Sequence, residues 1–360
     1  MTMPRSKTLN LLLTVGLVAA ATVAGFAVTS RQAKAADPSS VPIRPVTFDA
    51  VYVVNGGNGE TSSISVINAR TNTVAGTIQL TDAMWPHHIY QSADRSKLLV
   101  AVPGMDMSEG HGGEMPPDMP GAVMLLNART GATIRSVLTP AMNHNAIFSP
   151  DGREVWTSQM MEPGSVLVLD ANTLQTRQEV GVGDMPAEVT FSPSGRLGFV
   201  ANGGSDSVSV IDPRTKRLVK TIAVGDNPVG AWQAANGFAY VDNEAGMTIS
   251  AIERRSLQVR FTYDLGFMPG MAQLGPDGHL WVTDAENGSV VLYSPTRDLR
   301  LHEIPTGAGA HGIAFSSDGR TAYITNQLAN TVSAIDVRSR RVKATISVGE
   351  KPNGLVFRSR

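Results

Sequence analysis

The sequence predicts an all-β fold, a seven-bladed β-propeller that follows a signal peptide and is closed by pairing of its N-terminal and C-terminal strands. Three observations support this prediction. One strand-and-turn unit recurs seven times along the chain. Segments rich in valine, isoleucine and aromatic residues alternate with turn signals. The two ends of the chain supply complementary parts of one repeat.

The repeated unit is most visible where a strand ends in a turn. Its copies read VINARTN at 66, LLNARTG at 125, VLDANTL at 168, VIDPRTK at 210, AIERRSL at 251, LYSPTRD at 292 and AIDVRSR at 334. Equivalent residues are spaced by 59, 43, 42, 41, 41 and 42 positions. Four short strands in roughly 42 residues is the period of a propeller blade. Such a blade needs its neighbours to cover the two faces of its sheet.

A second unit lies between two strands of the same repeat and forms a tight turn. Its copies are Ser149-Pro150-Asp151-Gly152, Ser192-Pro193-Ser194-Gly195, Gly275-Pro276-Asp277-Gly278 and Ser316-Ser317-Asp318-Gly319. Proline at the second position and glycine at the fourth are typical of a type I turn. Each copy therefore predicts the corner of a hairpin.

The chain ends predict how the ring closes. Residues 51–55 (VYVVN) match a second strand with no first strand before them, and residues 353–357 (NGLVF) match a first strand with nothing after them. Pairing of these segments completes one blade and removes an exposed sheet edge. We place the propeller in residues 49–360, after a linker of residues 36–48. An open solenoid of the same repeats is the alternative.

The N-terminus predicts export. Arg5 and Lys7 precede residues 11–28, which carry no charge, and Ala33-Lys34-Ala35 offers a cleavage site. We expect a signal peptide of residues 1–35 and a periplasmic or secreted protein. Because the apolar run is barely long enough to span a bilayer, an uncleaved inner-membrane anchor is the alternative. No other membrane segment is expected.

Composition excludes several classes of function. The 360 residues include no cysteine, which excludes disulfides, thiolate metal sites and a cysteine nucleophile. Removal of residues 1–35 leaves 26 basic and 31 acidic residues. A net negative charge does not suit a nucleic-acid binder. We expect a monomer whose partner is an unidentified periplasmic or metal-handling protein.

Several second strands share a motif. They read YVVN at 52, FVAN at 199, YVDN at 240, WVTD at 281 and YITN at 323, and VGDNP at 224 and VGEKP at 348 lead into inner strands. With these motifs residues 49–360 resemble the YVTN-type seven-bladed propellers of exported prokaryotic proteins. The resemblance implies the fold. It leaves function open, because that family includes surface-layer modules, binding proteins and the propellers of redox enzymes.

Histidines recur at one position of the repeat. Links between blades are expected at one end of the central channel, here called the top, each followed by an inner strand. Aligned on the proline of the link, the next residue is His87, His144, Ala187, Val229, Gly270, His311 or Asn353. Three histidines among seven equivalent positions, with His88 beside the first, indicate an imidazole site. Glu188 and Asn145 are expected to orient the rings.

One top loop is longer than its equivalents. Residues 103–121 contain Met105, Met107, His111, Met115 and Met119, and no valine, leucine, isoleucine or aromatic residue. A segment without core-forming residues has little use for methionine as packing, whereas thioether sulfur is a soft ligand. The loop therefore predicts Cu(I) binding. We expect His87, His144 and His311 as core ligands, with His88, His111 and the loop methionines capturing the ion.

Other interpretations are consistent with the same residues. Methionines in the links can fill gaps between blades, and channel imidazoles can hydrogen-bond water or carbonyls. The protein would then be an interaction module. A redox enzyme with a cofactor in the channel is the third hypothesis. The fold also resembles the propellers of nitrous oxide reductase, whose copper cluster is held by histidines at the top of inner strands, and of haem d1 nitrite reductase. No catalytic residue is predicted.

Overall fold

The computed structural model describes residues 43–59, 61–108 and 119–360. Its 28 strands form seven four-stranded antiparallel sheets, each running from an inner strand to an outer one. The inner strands of successive sheets contact one another, so the sheets are the blades of a closed ring. The predicted all-β propeller is confirmed. Among the described residues no helix is long and apolar enough to cross a membrane.

The strands are grouped by blade, from the inner strand outward. Blade 1 contains β28 (Pro352–Arg358), β1 (Ala50–Asn55), β2 (Ser63–Asn68) and β3 (Thr73–Gln79). Blade 2 contains β4 (Ile89–Gln91), β5 (Lys97–Val102), β6 (Gly121–Asn127) and β7 (Thr133–Thr139). Blade 3 contains β8 (Ala146–Phe148), β9 (Glu154–Gln159), β10 (Ser165–Asp170) and β11 (Thr176–Gly181).

The remaining blades follow the same order. Blade 4 contains β12 (Pro186–Phe191), β13 (Gly198–Asn202), β14 (Ser207–Asp212) and β15 (Arg217–Ala223), with a short 3-10 helix (Gly203–Ser205) after β13. Blade 5 contains β16 (Pro228–Gln233), β17 (Phe238–Asn243), β18 (Thr248–Glu253) and β19 (Gln258–Asp264). Blade 6 contains β20 (Pro269–Leu274), β21 (Leu280–Asp284), β22 (Ser289–Tyr293) and β23 (Arg300–Pro305). Blade 7 contains β24 (Ala310–Phe315), β25 (Thr321–Asn326), β26 (Thr331–Asp336) and β27 (Arg341–Ser347).

Blade 1 closes the ring as the chain ends predict. β1 pairs antiparallel with β28, and Val53 lies opposite Leu355. On its other side β1 pairs with β2. The first and last strands of the chain therefore share one sheet, and neither leaves an unpaired edge toward its neighbour.

The hydrophobic core lies between the blades. Val51 and Val53 of blade 1, for example, belong to one buried cluster with Tyr323 and Val332 of blade 7. The two middle strands of most blades are buried along nearly their whole length, whereas the outermost strands alternate or are exposed. This distribution explains why the middle strands read as continuous apolar runs and the outer strands do not.

A buried asparagine ends the second strand of several blades. Asn326 donates to Thr331 Oγ1 at 2.9 Å and to Ser333 Oγ at 3.0 Å. The same pair of hydrogen bonds to hydroxyl groups of the third strand is made by Asn55, Asn202 and Asn243. A buried amide thus bridges the loop between these two strands, which explains the final letter of the YVTN-like motif.

Candidate metal centre

Histidines from two neighbouring blades meet at the top of the channel. The ring centroids of His87, His88 and His144 lie 4.5 to 4.7 Å apart. One ligand nitrogen of each lies within 4.8 Å of the others. Their exposed fractions are 2%, 5% and 2%. The three imidazoles, here called the histidine trio, therefore form one buried group.

His311 lies somewhat farther away. Its ring centroid is 5.7 Å from that of His87 and 6.4 Å from that of His88, and its side chain is also buried. The three histidines expected as core ligands do converge, but the tightest group contains His88 instead of His311. The expected division between core and capture ligands therefore does not match the geometry of these four residues.

A turn that recurs in several links precedes His87 and His88. The residue before the proline adopts a left-handed conformation at Trp85, Met185, Asn227 and Lys351, with φ between 48° and 55°. The chain then enters the channel, where His87 N donates to Ala101 O and Ala101 N donates to His88 O. These bonds fix the backbone of both histidines against β5.

A glycine of the adjacent blade makes room for the trio. Gly354 N donates to His87 O at 2.8 Å. A Cβ atom at position 354 would lie 2.6 Å from His87 O and 2.8 Å from His88 Cα. Both are backbone atoms and cannot swing away, so a side chain at this position would displace the histidines.

Glu188 supplies a buried negative charge beside the trio. Its Oε2 accepts from His144 Nδ1 at 3.1 Å and lies 3.8 Å from His88 Nε2. Its Oε1 accepts from Asn145 Nδ2 at 2.6 Å and from the Tyr90 hydroxyl. Because a carboxylate only accepts, His144 carries its proton on Nδ1, and the lone pair is on Nε2, the nitrogen suited to a metal.

Tyr90 was missed by the sequence analysis. Burial and the neighbouring carboxylate of Glu188 raise the pKa of its hydroxyl well above the ordinary value, so the group remains a donor. Tyr90 lies in β4, two residues after His88, which precedes the strand. Because His88 lies outside the regular strand, no local sequence pattern points to Tyr90.

Six methionines cover this end of the channel. Met107, Met142 and Met160 are buried in one cluster with Ala187 and Val229, and Met105, Met119 and Met185 pack against it. These six residues are called the methionine cluster. Ala187 and Val229 occupy the ring positions at which blades 4 and 5 lack histidine. Met105 and Met107 also line one small cavity with His87.

The predicted ligands are thus distributed over three places. Four histidines lie together in the channel, and Met105, Met107 and Met119 belong to the methionine cluster. His111 and Met115 lie outside the described residues. Of the link methionines, Met142 is buried as expected for a residue that fills a gap, whereas Met84 and Met268 are exposed.

A second buried acid lies in blade 5. Asp242 Oδ1 accepts from Trp232 Nε1 at 2.7 Å, and Oδ2 accepts from Gly230 N at 3.0 Å. Burial, and after it the charge of Glu244, raise the pKa of Asp242 from 3.8 to about 7. The Trp232 ring separates this carboxyl from the trio, with its centroid 6.0 Å from that of His88.

The fold and the site define a class of protein, a closed seven-bladed propeller with an imidazole group and a buried carboxylate at one end of its channel. A family model described as YNCE-like beta-propeller matches residues 117–355, and the chain belongs to this family. Among curated proteins no match is found.

Solved structures agree with the fold. The periplasmic gluconolactonase PpgL of Pseudomonas aeruginosa is 20% identical with a TM-score of 0.70, over 86% of this chain and 99% of that one. Hydrazine synthase of Kuenenia stuttgartiensis is 21% identical with a TM-score of 0.63, over 77% and 90%. The dihydro-haem d1 dehydrogenase NirN, in complex with DHE, is 15% identical with a TM-score of 0.61, over 88% and 77%. At these identities the likeness is one of fold alone.

Proposed function

We propose that this chain is an exported binding protein that holds copper, as Cu(I), through His87, His88 and His144. One observation carries the proposal: three buried imidazoles offer ligand nitrogens within 4.8 Å of one another. Three nitrogens spaced evenly around one metal at about 2.0–2.1 Å lie about 3.5 Å apart. A shift of up to about 0.7 Å at each ring would therefore bring the trio to bonding distance.

The charge of the site favours a monovalent ion. Glu188 is buried and touches the trio through His144. One Cu(I) ion would neutralise this carboxylate, whereas a divalent ion would leave a net positive charge in a buried environment, which is costly. The imidazoles are neutral and do not change the net charge of the site. A singly charged cation is therefore the best match for the donor set.

The surroundings of the site favour a soft ion. The methionine cluster lies beside the trio, and Met105 and Met107 share a cavity with His87. Thioethers bind Cu(I) and discriminate against hard cations, which require oxygen ligands. Export through the predicted signal peptide, and transfer to a metal-handling partner, are parts of this proposal. The enzymatic activities named for the structural neighbours are not part of the proposal, because the chain resembles those proteins only in fold.

Competition for Cu(I) tests the proposal. Residues 36–360 are titrated, without oxygen, into a complex of Cu(I) with a chromophoric chelator. We expect one equivalent to be withdrawn by the wild type and affinity to fall at least about 100-fold when His87, His88 and His144 are all changed to alanine. The matched control changes His279 and His302, which lie on a bottom turn and on β23. Equal affinity of the trio variant and the control would refute the site.

The role of Glu188 is tested by Glu188→Gln. Residues that orient metal-binding histidines typically contribute 10- to 100-fold to affinity, and we expect a loss of about this size. Glu179→Gln, on the exposed strand β11, removes the same charge far from the trio and serves as control. If Glu188→Gln binds Cu(I) like the wild type while remaining folded by circular dichroism, the carboxylate does not support the site.

A further inference from the structure

The two ends of the propeller differ in charge. Top loops join second to third strands and fourth strands to the next blade, and bottom turns join first to second and third to fourth strands. Among the described residues, the top loops hold nine acidic residues and one basic residue, Lys351. The nine acids are Asp82, Asp106, Glu162, Asp184, Asp206, Asp226, Glu244, Glu286 and Glu350.

The bottom has the opposite sign. Its turns and chain ends hold fifteen basic and six acidic residues among those described, while charges at the adjoining strand ends balance. The basic residues are Arg44, Arg70, Arg95, Arg129, Arg153, Arg196, Arg214, Lys216, Arg254, Arg255, Arg297, Arg320, Arg338, Arg340 and Arg360. This set defines the basic face. Basic residues accumulate on this face because the Ala-Arg-Thr and Asp-Gly-Arg turns of successive repeats all lie at this end of the propeller.

The acids on this face are turned toward the backbone. Asp151 accepts from Ser149 Oγ and Arg153 N, and Asp318 accepts from Ser316 Oγ and Arg320 N. Such carboxylates are engaged within their own turns. The arginines of the same turns, Arg153 and Arg320, are exposed. A flat surface approaching from below would therefore meet guanidinium groups first.

One part of the basic face is concave. A cavity of about 600 Å³ between blades 6 and 7 is lined by Arg320, Arg338 and Arg340 together with Asp277 and Asp336. Asp277 accepts from Trp281 Nε1 at 3.0 Å and pairs with His279 Nδ1 at 2.9 Å, and Asp336 accepts from Ser339 N. Hydrogen bonds do not remove the charge of a carboxylate, so three guanidinium groups stand against two carboxylates, and this net positive lining suits a phosphate group.

The chain enters the propeller at the same face. Val46 N donates to Arg129 O in a bottom turn, and Arg360 N donates to Asp49 Oδ1. The preceding residues include the one apolar run that the sequence predicts to enter a membrane, residues 11–28. The chain is therefore joined to that predicted segment at the basic face.

From the charge, the concavity and the point of chain entry, we propose that the basic face docks on an anionic phospholipid surface, with the acidic top directed away from it. The phosphates of the lipid headgroups are the ligand. Residues 36–360 carry more acidic than basic residues, so binding requires this orientation. Each arginine near an anionic membrane contributes roughly fivefold in affinity, and salt weakens the attraction. The inference does not depend on copper.

Vesicle binding tests the inference. The 28 strands of the described residues lie within residues 50–358, so residues 36–360 contain all seven blades and lack the apolar segment that would insert by itself. Sedimentation is compared for vesicles of phosphatidylcholine alone and with phosphatidylglycerol, at low and high salt. We expect binding to the anionic vesicles only, and its loss at high salt.

Two triple variants locate the surface. Arg320→Gln, Arg338→Gln and Arg340→Gln together should weaken binding roughly 100-fold. The control changes Arg135, Arg177 and Arg260 to glutamine, which removes equal charge from the exposed outer strands β7, β11 and β19. Urea unfolding verifies that both variants are folded. Absence of a preference for anionic vesicles in the wild type, or equal weakening in both variants, would overturn the proposal.

Discussion

At the scale of single residues, two buried carboxylates near the channel have different surroundings. Glu188 is enclosed by donors from Tyr90, Asn145 and His144. Asp242 accepts from the indole of Trp232 and from backbone N–H groups, and the charge of Glu244 opposes its ionisation. Burial therefore prevails at Asp242 and raises its pKa to about 7. The free energy of unfolding should therefore depend on pH through the ionisation of Asp242.

We predict that ionisation of Asp242 destabilises the fold as pH rises. Between about pH 4 and about pH 7 the folded state binds a proton that the unfolded state has lost, so the free energy of unfolding falls with increasing pH. A pKa raised from 3.8 to about 7 corresponds to at most about 4 kcal/mol above neutrality. Urea unfolding across this range should show the decline in the wild type and a smaller one in Asp242→Asn. Asp82→Asn, in an exposed top loop, is the control. Identical pH profiles of wild type and Asp242→Asn would contradict the prediction.

At the scale of the strand, the two blades that supply the histidine trio are ones that lack the asparagine bridge. Blades 1, 4, 5 and 7 end their second strands with asparagine and have inner strands of six or seven residues. Blades 2 and 3 end theirs with Val102 and Gln159, and their inner strands β4 and β8 have three residues. The trio therefore lies in the irregular backbone that precedes these short strands.

A bridge should contribute measurably to stability. Asn326 is buried and makes two side-chain hydrogen bonds to β26. We predict that Asn326→Ala lowers the free energy of unfolding by about 2 kcal/mol, because each bond contributes about 1 kcal/mol and both hydroxyl partners remain buried. Gln258→Ala, on exposed β19, should change it by less than about 0.5 kcal/mol. The shift of the urea unfolding midpoint, at an unchanged dependence of the free energy on urea concentration, measures the effect of each substitution. A loss as small as that of the control would show that the bridge is structurally neutral.

The sequence could predict those features of the site that follow from the repeat, but not those that depend on irregular backbone or on contacts between loops. Alignment of the links on the proline, or on the residue that replaces it, places His87, His144 and His311 at equivalent positions. The sequence predicts His88 as a capture ligand of the same site and not as a member of the tightest group, because two consecutive residues of a regular strand would face opposite sides. Both rings enter the channel because the regular strand starts only at Ile89. The methionine cluster depends on contacts between four separate loops, which no local pattern contains.

At the scale of the whole molecule, the ring and its closure were predictable because they follow from the number of repeats and from the two incomplete ends. Seven repeats of similar length and two incomplete ends permit one arrangement in which every blade has four strands and two neighbours. Charge polarity was equally present in the turns of the sequence. It became visible only when topology assigned each turn to one end of the ring. Closure has the larger energetic consequence, because every blade relies on two neighbours.

We predict that the ring fails to close without its last strand. Truncation after Lys351 removes β28, uncovers the inner edge of β1 and exposes the cluster around Val51 and Val53. Since neighbouring blades cover one another, the loss should approach the roughly 5–15 kcal/mol that stabilises a typical domain. Size-exclusion chromatography and urea unfolding should show an aggregated or unfolded chain.

Removal of Ser359 and Arg360 alone keeps β28 intact and should leave the urea midpoint nearly unchanged. A synthetic peptide of residues 352–360, added during refolding of the truncated chain, should restore a monomer by pairing with β1, because main-chain bonds and the pocket for Leu355 are still present. A truncated chain that is monomeric and unfolds at the wild-type midpoint without the peptide would show that six complete blades close without the seventh.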